Sequence, residues 1–180
     1  MKLFSWLQEN SEFPLEAENP SEPPSPTLLF ARIKELEKIF VRDVMVPRAL
    51  IVALDVDVQL KRVRRLKSSK IAYFPVYKGD LDHVLGWISK RKVLEVLAEG
   101  VDDQKLEQNL RPVGFIAQDA RVSELADQFL KTASPFLVVK NQEGATTGIL
   151  PLSELVELIF GFELTPPQPG SNIEPTGAPP

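Results

Sequence analysis

One unit of this 180-residue chain occurs twice, and its small size limits what the chain can fold into. In the first copy Tyr73-Phe74-Pro75-Val76-Tyr77 is followed by Leu85-Gly86-Trp87-Ile88-Ser89 and then Val93-Leu94-Glu95-Val96-Leu97. In the second, Pro135-Phe136-Leu137-Val138-Val139 is followed by Gly148-Ile149-Leu150 and Leu155-Val156-Glu157-Leu158-Ile159. The two strand glycines, Gly86 and Gly148, lie 62 positions apart. Each copy reads as a helix, an apolar strand, a turn, a glycine-bearing strand and a closing helix. A unit this short cannot bury its apolar faces alone and must stack on a neighbour. Two such units make one α+β domain with a cleft between its halves, and clefts of that kind hold ligands. That pattern points to a binding or regulatory module rather than a catalyst.

Composition agrees with one ordinary domain plus tails. Hydrophobic residues make up 43%, which suits a globular core. The formal net charge of −4 offers no general attraction to nucleic acid, and none is expected as a partner. There is no cysteine, hence no disulfide framework and no thiolate chemistry, in keeping with a cytoplasmic chain. The apolar run at Leu3-Phe4-Ser5-Trp6-Leu7 is too short for a signal-peptide core or a membrane span, but it is a candidate docking segment. Five prolines fall between Pro14 and Pro26 and six between Pro166 and Pro180. Proline fixes φ and lacks an amide donor, so residues 1–26 and 164–180 read as disordered tails. Between them lie a lead-in helix and first repeat over 27–100, a connector over 101–112 and the second repeat over 113–163.

Within the body, Leu29, Ile33, Leu36 and Phe40 recur at helical spacing with Thr27 as the predicted cap. Asp57 can cap a helix that turns Leu60, Val63 and Leu66 inward, with Lys61, Arg62, Arg64, Arg65 and Lys67 outward as a solvated face. Ser89 caps the helix of Val93, Leu94 and Leu97; Asp119 opens another with Val122, Leu125 and Phe129 inward. Lys78-Gly79-Asp80 and Asn141-Gln142-Glu143-Gly144 have turn chemistry, and Gly161 stands where a helix cap is expected.

Several of these stretches together resemble one family. Val41-Arg42-Asp43-Val44-Met45-Val46-Pro47-Arg48, the hairpin Phe74-Pro75-Val76-Tyr77 with Gly79-Asp80-Leu81 and Val84-Leu85-Gly86, and Glu143-Gly144-Ala145-Thr146-Thr147-Gly148-Ile149-Leu150 are similar to a tandem pair of cystathionine-β-synthase (CBS) domains. The pair it looks like is that of the CorC/HlyC (hemolysin-C, magnesium and cobalt efflux) type, over roughly residues 30 to 162. The resemblance implies two β-α-β-β-α repeats related by pseudo-twofold symmetry. Members of that family usually also carry a membrane domain or a transporter-associated domain, and neither is recognisable here.

The resemblance further implies a nucleotide cleft. Its pattern is Gly-x-x-Thr/Ser-x-x-Asp, in which the acid accepts both ribose hydroxyls of a nucleotide. A carboxylate suits a vicinal diol because it offers two acceptor oxygens in charge-assisted bonds. The first repeat reads Gly86, Ser89 and Lys92, so a donor-only lysine takes the acid's place. The second reads Gly148, Pro151 and Glu154, which keeps the charge and loses the hydroxyl. The implied site residues are Glu154, Gly148, Leu150, Ser153 and Pro135 in the second repeat, and Ser89, Gly86, Pro75 and Val76 in the first. The expected ligand is AMP, ADP or ATP, bound weakly and mainly on the Glu154 side.

Other chemistry is weakly supported. His83 is the only histidine, and no ligand set surrounds it for a metal; Cys/His or Ser/His catalysis and a phosphate-cradling glycine loop also lack their motifs. The expected function is a non-catalytic regulatory module. The alternatives are a ligand-free CBS scaffold that dimerises or docks, and an accessory to magnesium or cobalt transport with a membrane transporter as partner. A twofold homodimer is expected, with Leu97, Phe129 or Phe160 on its face.

Overall fold

The computed structural model describes residues 25–57, 70–98 and 106–160, without the side chains of Leu97 and Leu106. The tails, the basic helix expected over 57–67 and the cap expected at Gly161 lie outside the described residues or run into them. Helix α1 spans Pro26–Leu36 and the single turn α2 spans Val41–Val44. Strands β1 (Val46–Pro47) and β2 (Leu54–Asp55) follow, then the hairpin β3 (Tyr73–Lys78) and β4 (Asp80–Ser89), and helix α3 (Lys90–Ala98). The second repeat runs β5 (Gly114–Ala117), a 3-10 turn (Val122–Glu124), α4 (Leu125–Thr132), β6 (Phe136–Lys140), β7 (Thr146–Pro151) and α5 (Leu152–Phe160).

The strands form two sheets. One has the order β2-β3-β4 and the other β1-β7-β6-β5, with β2 parallel to β3, β5 parallel to β6 and the two hairpins antiparallel. Both hairpin turns rest on a glycine at positive φ, Gly79 at 78° and Gly144 at 80°. Asn141 Oδ1 accepts the Ala145 amide at 2.8 Å and braces the second turn. The twofold likeness is visible in the hydrogen bonds. The first amide of α3 donates to Ala72 O at 2.7 Å, and the first amide of α5 donates to Pro135 O at 2.9 Å.

Strand alternation builds the core. On β6, Leu137 and Val139 face one core while Phe136 and Val138 face another, as a period of two requires. The first repeat closes around Phe74, Val76, Ile88, Val93 and Val96. The second closes around Val122, Leu125, Phe129, Leu150 and Leu155. Between them, Val84 and Trp87 of β4 pack on Phe136 and Val138 of β6, so the two repeats share a third apolar cluster.

The lead-in region departs from the sequence expectation. Ser25, not Thr27, caps α1: Leu28 N donates to Ser25 Oγ at 3.3 Å, and Pro26 occupies the first helical position, where its missing amide costs nothing. The buried stripe is Arg32, Leu36 and Ile39, whereas Ile33 is 44% exposed. The helix stops at Leu36, so its period does not carry on to Phe40. Leu36, Ile39, Val41 and Val44 then enter the core of the second repeat rather than the first. Phe40 lies between two guanidinium groups, Arg121 at 3.6 Å and Arg42 at 4.2 Å from its ring centre. Asp119 does not cap α4; it pairs with Arg42. Arg121 N instead donates to Glu124 Oε1 at 3.0 Å at the start of the 3-10 turn. Phe129, expected on a dimer face, is 6% exposed and belongs to the core, while Phe160 is 36% exposed.

Candidate functional site

The cleft region is built by an exchange of lead-in segments. Val46 and Pro47, which precede the first repeat, pair with Ile149 and Gly148 of the second. Arg111, which precedes the second repeat, bridges to Trp87 of the first through two reciprocal 2.9 Å bonds. Each strand glycine lies where the other half's backbone crosses. A Cβ on Gly148 would stand 2.6 Å from both Val46 O and Met45 Sδ, and a Cβ on Gly86 would meet Arg111 O. The 62-residue spacing of the glycines therefore reflects close backbone approach.

The motif positions beyond the glycines sit at the starts of α3 and α5. Ser89 Oγ accepts the Lys92 amide at 3.1 Å, so the hydroxyl caps α3 as the sequence predicted. Lys92 Nζ lies 3.8 Å from Glu95 Oε2, which leaves a cation and no acceptor at the acid's place. In the second repeat, Pro151 ends β7 opposite Phe136, and Pro135 O receives the α5 amide. Ser153 is exposed, and Glu154 is half-buried on the first turn of α5. No hydrogen bond or ion pair reaches Glu154 among the described residues. Burial, and then the neighbouring Glu157, push its carboxyl above the usual glutamate range.

Three further predicted site residues have other surroundings. Leu150 and Val76 are fully buried in the two separate cores, and Pro75 is buried opposite Trp87. Only their main chain remains to face a ligand.

Arg48 was read only as part of the lead-in motif, yet it joins the two hairpins. Its Nη1 contacts Asp82 Oδ1 and donates to Thr146 O at 2.8 Å, while Thr146 N donates to the same Asp82 oxygen at 2.6 Å. Thr146 Oγ1 donates to Leu81 O, and Lys140 Nζ donates to Asp82 O at 2.7 Å. These partners lie 34 to 98 positions apart in the chain, so no local pattern announces them. The Thr146 amide and the Arg48 side chain hold the Asp82 carboxyl below its usual range. A depressed carboxyl stabilises the fold above the ordinary aspartate pKa of about 3.9 and loses that contribution as pH falls through the depressed value. Asp82→Asn is therefore expected to lower the melting temperature at neutral pH. Melts of both proteins across pH should converge in acid; a difference that persists unchanged there would show that the Asp82 charge is not what matters.

No family model matches the sequence. The chain is 25% identical over 130 residues to the magnesium and cobalt efflux protein CorC of Vibrio cholerae, a match covering 72% of this chain and 45% of that protein. The chain thus spans less than half the length of that relative. A solved structure of the CBS domain of the bacterial CNNM/CorC family Mg2+ transporter in complex with ATP superposes with a TM-score of 0.69. It covers 77% of this chain and 99% of the other, at 23% identity. The chain has the fold of a tandem CBS-domain pair and a sequence similar to CorC.

A CBS-domain pair with bound AMP from Klebsiella pneumoniae has the same fold, with a TM-score of 0.55, 21% identity and coverage of 67% and 98%. Both halves of this chain place a glycine where the other half's backbone crosses, Gly86 and Gly148, whereas an acid stands six positions after the glycine only in the second, at Glu154. No helix among its described residues is long and apolar enough to cross a membrane. No cluster of three or more metal-ligating side chains occurs among those residues either.

Proposed function

We propose that this CBS pair is a non-catalytic regulatory module that binds an adenine nucleotide in its second half and changes its contacts with a partner. The observation that carries this reading is the state of Glu154. Among the described residues no donor reaches this half-buried carboxylate, so its desolvation is not offset by any of them. A ribose diol would supply two donors to it, and neighbours of the same fold have been solved with ATP and with AMP. Likeness to a magnesium and cobalt efflux protein supports a cytoplasmic setting and a membrane transporter as the partner; a twofold dimer is the assembly expected from the general preference for closed symmetry.

Calorimetric titration with AMP, ADP and ATP tests the assignment. Glu154→Ala removes charged hydrogen bonds of about 1.5–3 kcal/mol, so affinity should fall roughly tenfold to a hundredfold. Lys92→Asp should create or strengthen a first-half site next to Ser89. The same glutamate should cost stability when no ligand is present. Its pKa is raised in the fold, so the penalty grows as pH rises from the ordinary glutamate value of about 4.3 through the folded one. Glu154→Gln should thus melt higher than the native chain at neutral pH and equal it in acid, while binding nucleotide less well. Native binding that survives Glu154→Ala unchanged would move the site elsewhere.

A second reading rests on the first half. With Lys92 paired to Glu95 and Val76 inside the core, that half has the makings of a scaffold without a ligand. Failure of both the native chain and Lys92→Asp to bind any of the three nucleotides would favour it.

A further inference from the structure

A concavity of ≈ 650 Å3 lies between the run leading into β3 and the outer side of α3. Ile71, Ala72, Tyr73, Leu94 and Ala98 form its apolar lining. Ile71 is 37% and Tyr73 45% exposed, so this apolar surface meets water. Among the described residues three cations line it, Lys70, Lys90 and Arg91, with Arg91 paired to the one lining acid, Glu95, at 2.9 Å. Chemistry of this kind suits a partner with apolar anchors and negative charge. A volume of that size accepts one or two aromatic side chains.

The chain itself contains such a partner. Leu3, Phe4, Trp6 and Leu7 supply apolar anchors, and Glu9 and Glu12 follow directly. Over residues 1–24 five glutamates stand against one lysine. Residues 8–24 separate the anchors from Ser25, the cap of α1. Seventeen residues extend to about 60 Å at most, whereas a body of this size has a radius of gyration of about 14 Å. Every face of the body is within reach. A tethered segment also meets its site at an effective concentration in the millimolar range. Weak contacts then suffice to fill the site.

We propose that residues 3–12 of this chain dock in the concavity beside α3, with Trp6 in the apolar lining and Glu9 and Glu12 toward Lys90 and Arg91. The docking is independent of nucleotide. It covers the start of α3, the one place in the first repeat where cations gather around Ser89.

Tryptophan fluorescence of the full chain tests this, because Trp6 and Trp87 are its only tryptophans. Subtracting the spectrum of Trp6→Phe from that of the native chain isolates Trp6. The expected emission is blue-shifted relative to an exposed indole, and independent of protein concentration. Lys90→Glu combined with Arg91→Glu should abolish the shift, as should high salt, which screens exposed charges. Phe4→Ser with Leu7→Ser, which leaves the body untouched, should abolish it as well. Trp6 emission like that of an exposed indole in the native chain would overturn the proposal. So would a blue shift that ignores the Lys90 and Arg91 reversals, since the segment would then sit elsewhere. A shift that appears only as concentration rises would also overturn it, in favour of docking on a second copy.

Discussion

Removing residues 113–180 should leave a chain with no cooperative unfolding transition. The first repeat keeps only a small cluster around Phe74, Val76 and Ile88. The lead-in residues Leu36, Ile39, Val41 and Val44 lose every partner they have in the second core. Strand β1 loses β7, its pairing strand, and Val84 and Trp87 lose Phe136 and Val138. With the shared cores gone, the remnant buries too little apolar surface to outweigh its chain entropy. The remnant should show no sharp thermal melt by circular dichroism and should expose apolar surface to a reporter dye. A sharply melting remnant of native-like helix content would mean that the halves fold independently. The complementary outcome for the intact protein is a single urea transition seen alike by fluorescence and circular dichroism.

Gly148→Ala and Gly86→Ala should each destabilise the protein by about 1–3 kcal/mol, the usual cost of forcing extra volume into a packed site. The new methyl on residue 148 would press on Val46 O and Met45 Sδ at 2.6 Å, and that on residue 86 on the Arg111 carbonyl. The Met45 side chain can turn away, but the Val46 and Arg111 carbonyls are backbone, held by β1–β7 pairing in one case and by the Trp87–Arg111 bridge in the other. Those carbonyls cannot step aside without breaking the exchange between halves. Gly79 and Gly144 provide the contrast. A methyl there meets no atom, and the cost is that of a left-handed backbone alone. Asparagine, which tolerates that conformation, should be accepted at 79 and 144 and rejected at 86 and 148. Urea midpoints of the eight variants would reveal the pattern. Equal tolerance of asparagine at all four positions would show that close approach is not the reason for Gly86 and Gly148.

Much of the architecture was legible because its causes are local. The continuous apolar run Phe136–Val139 marked a short buried strand, Gly79 and Gly144 marked two tight turns, and Ser89 marked the start of α3. The repeat itself followed from spacing, since a pair of such units must share a core. Glu154 was singled out by the motif that the CBS resemblance implies, counted from Gly148.

Other features belong to the tertiary structure alone. Spacing cannot say which half a two-residue strand will join, because pairing is chosen by what lies alongside; Val46–Pro47 went to the second half. The apolar lead-in residues went with it, and their helical stripe shifted from Ile33 to Arg32 once α1 ended at Leu36. Arg48, Asp82 and Thr146 meet only because two hairpins from different repeats lie side by side. Burial likewise decided the environment of Glu154. The sequence determined that a carboxylate would stand on the first turn of α5; packing determined that it would be half-desolvated beside Glu157, with no donor among the described residues. A residue type sets the charge it can carry, but desolvation and the distance to partners are set by segments far away in the chain.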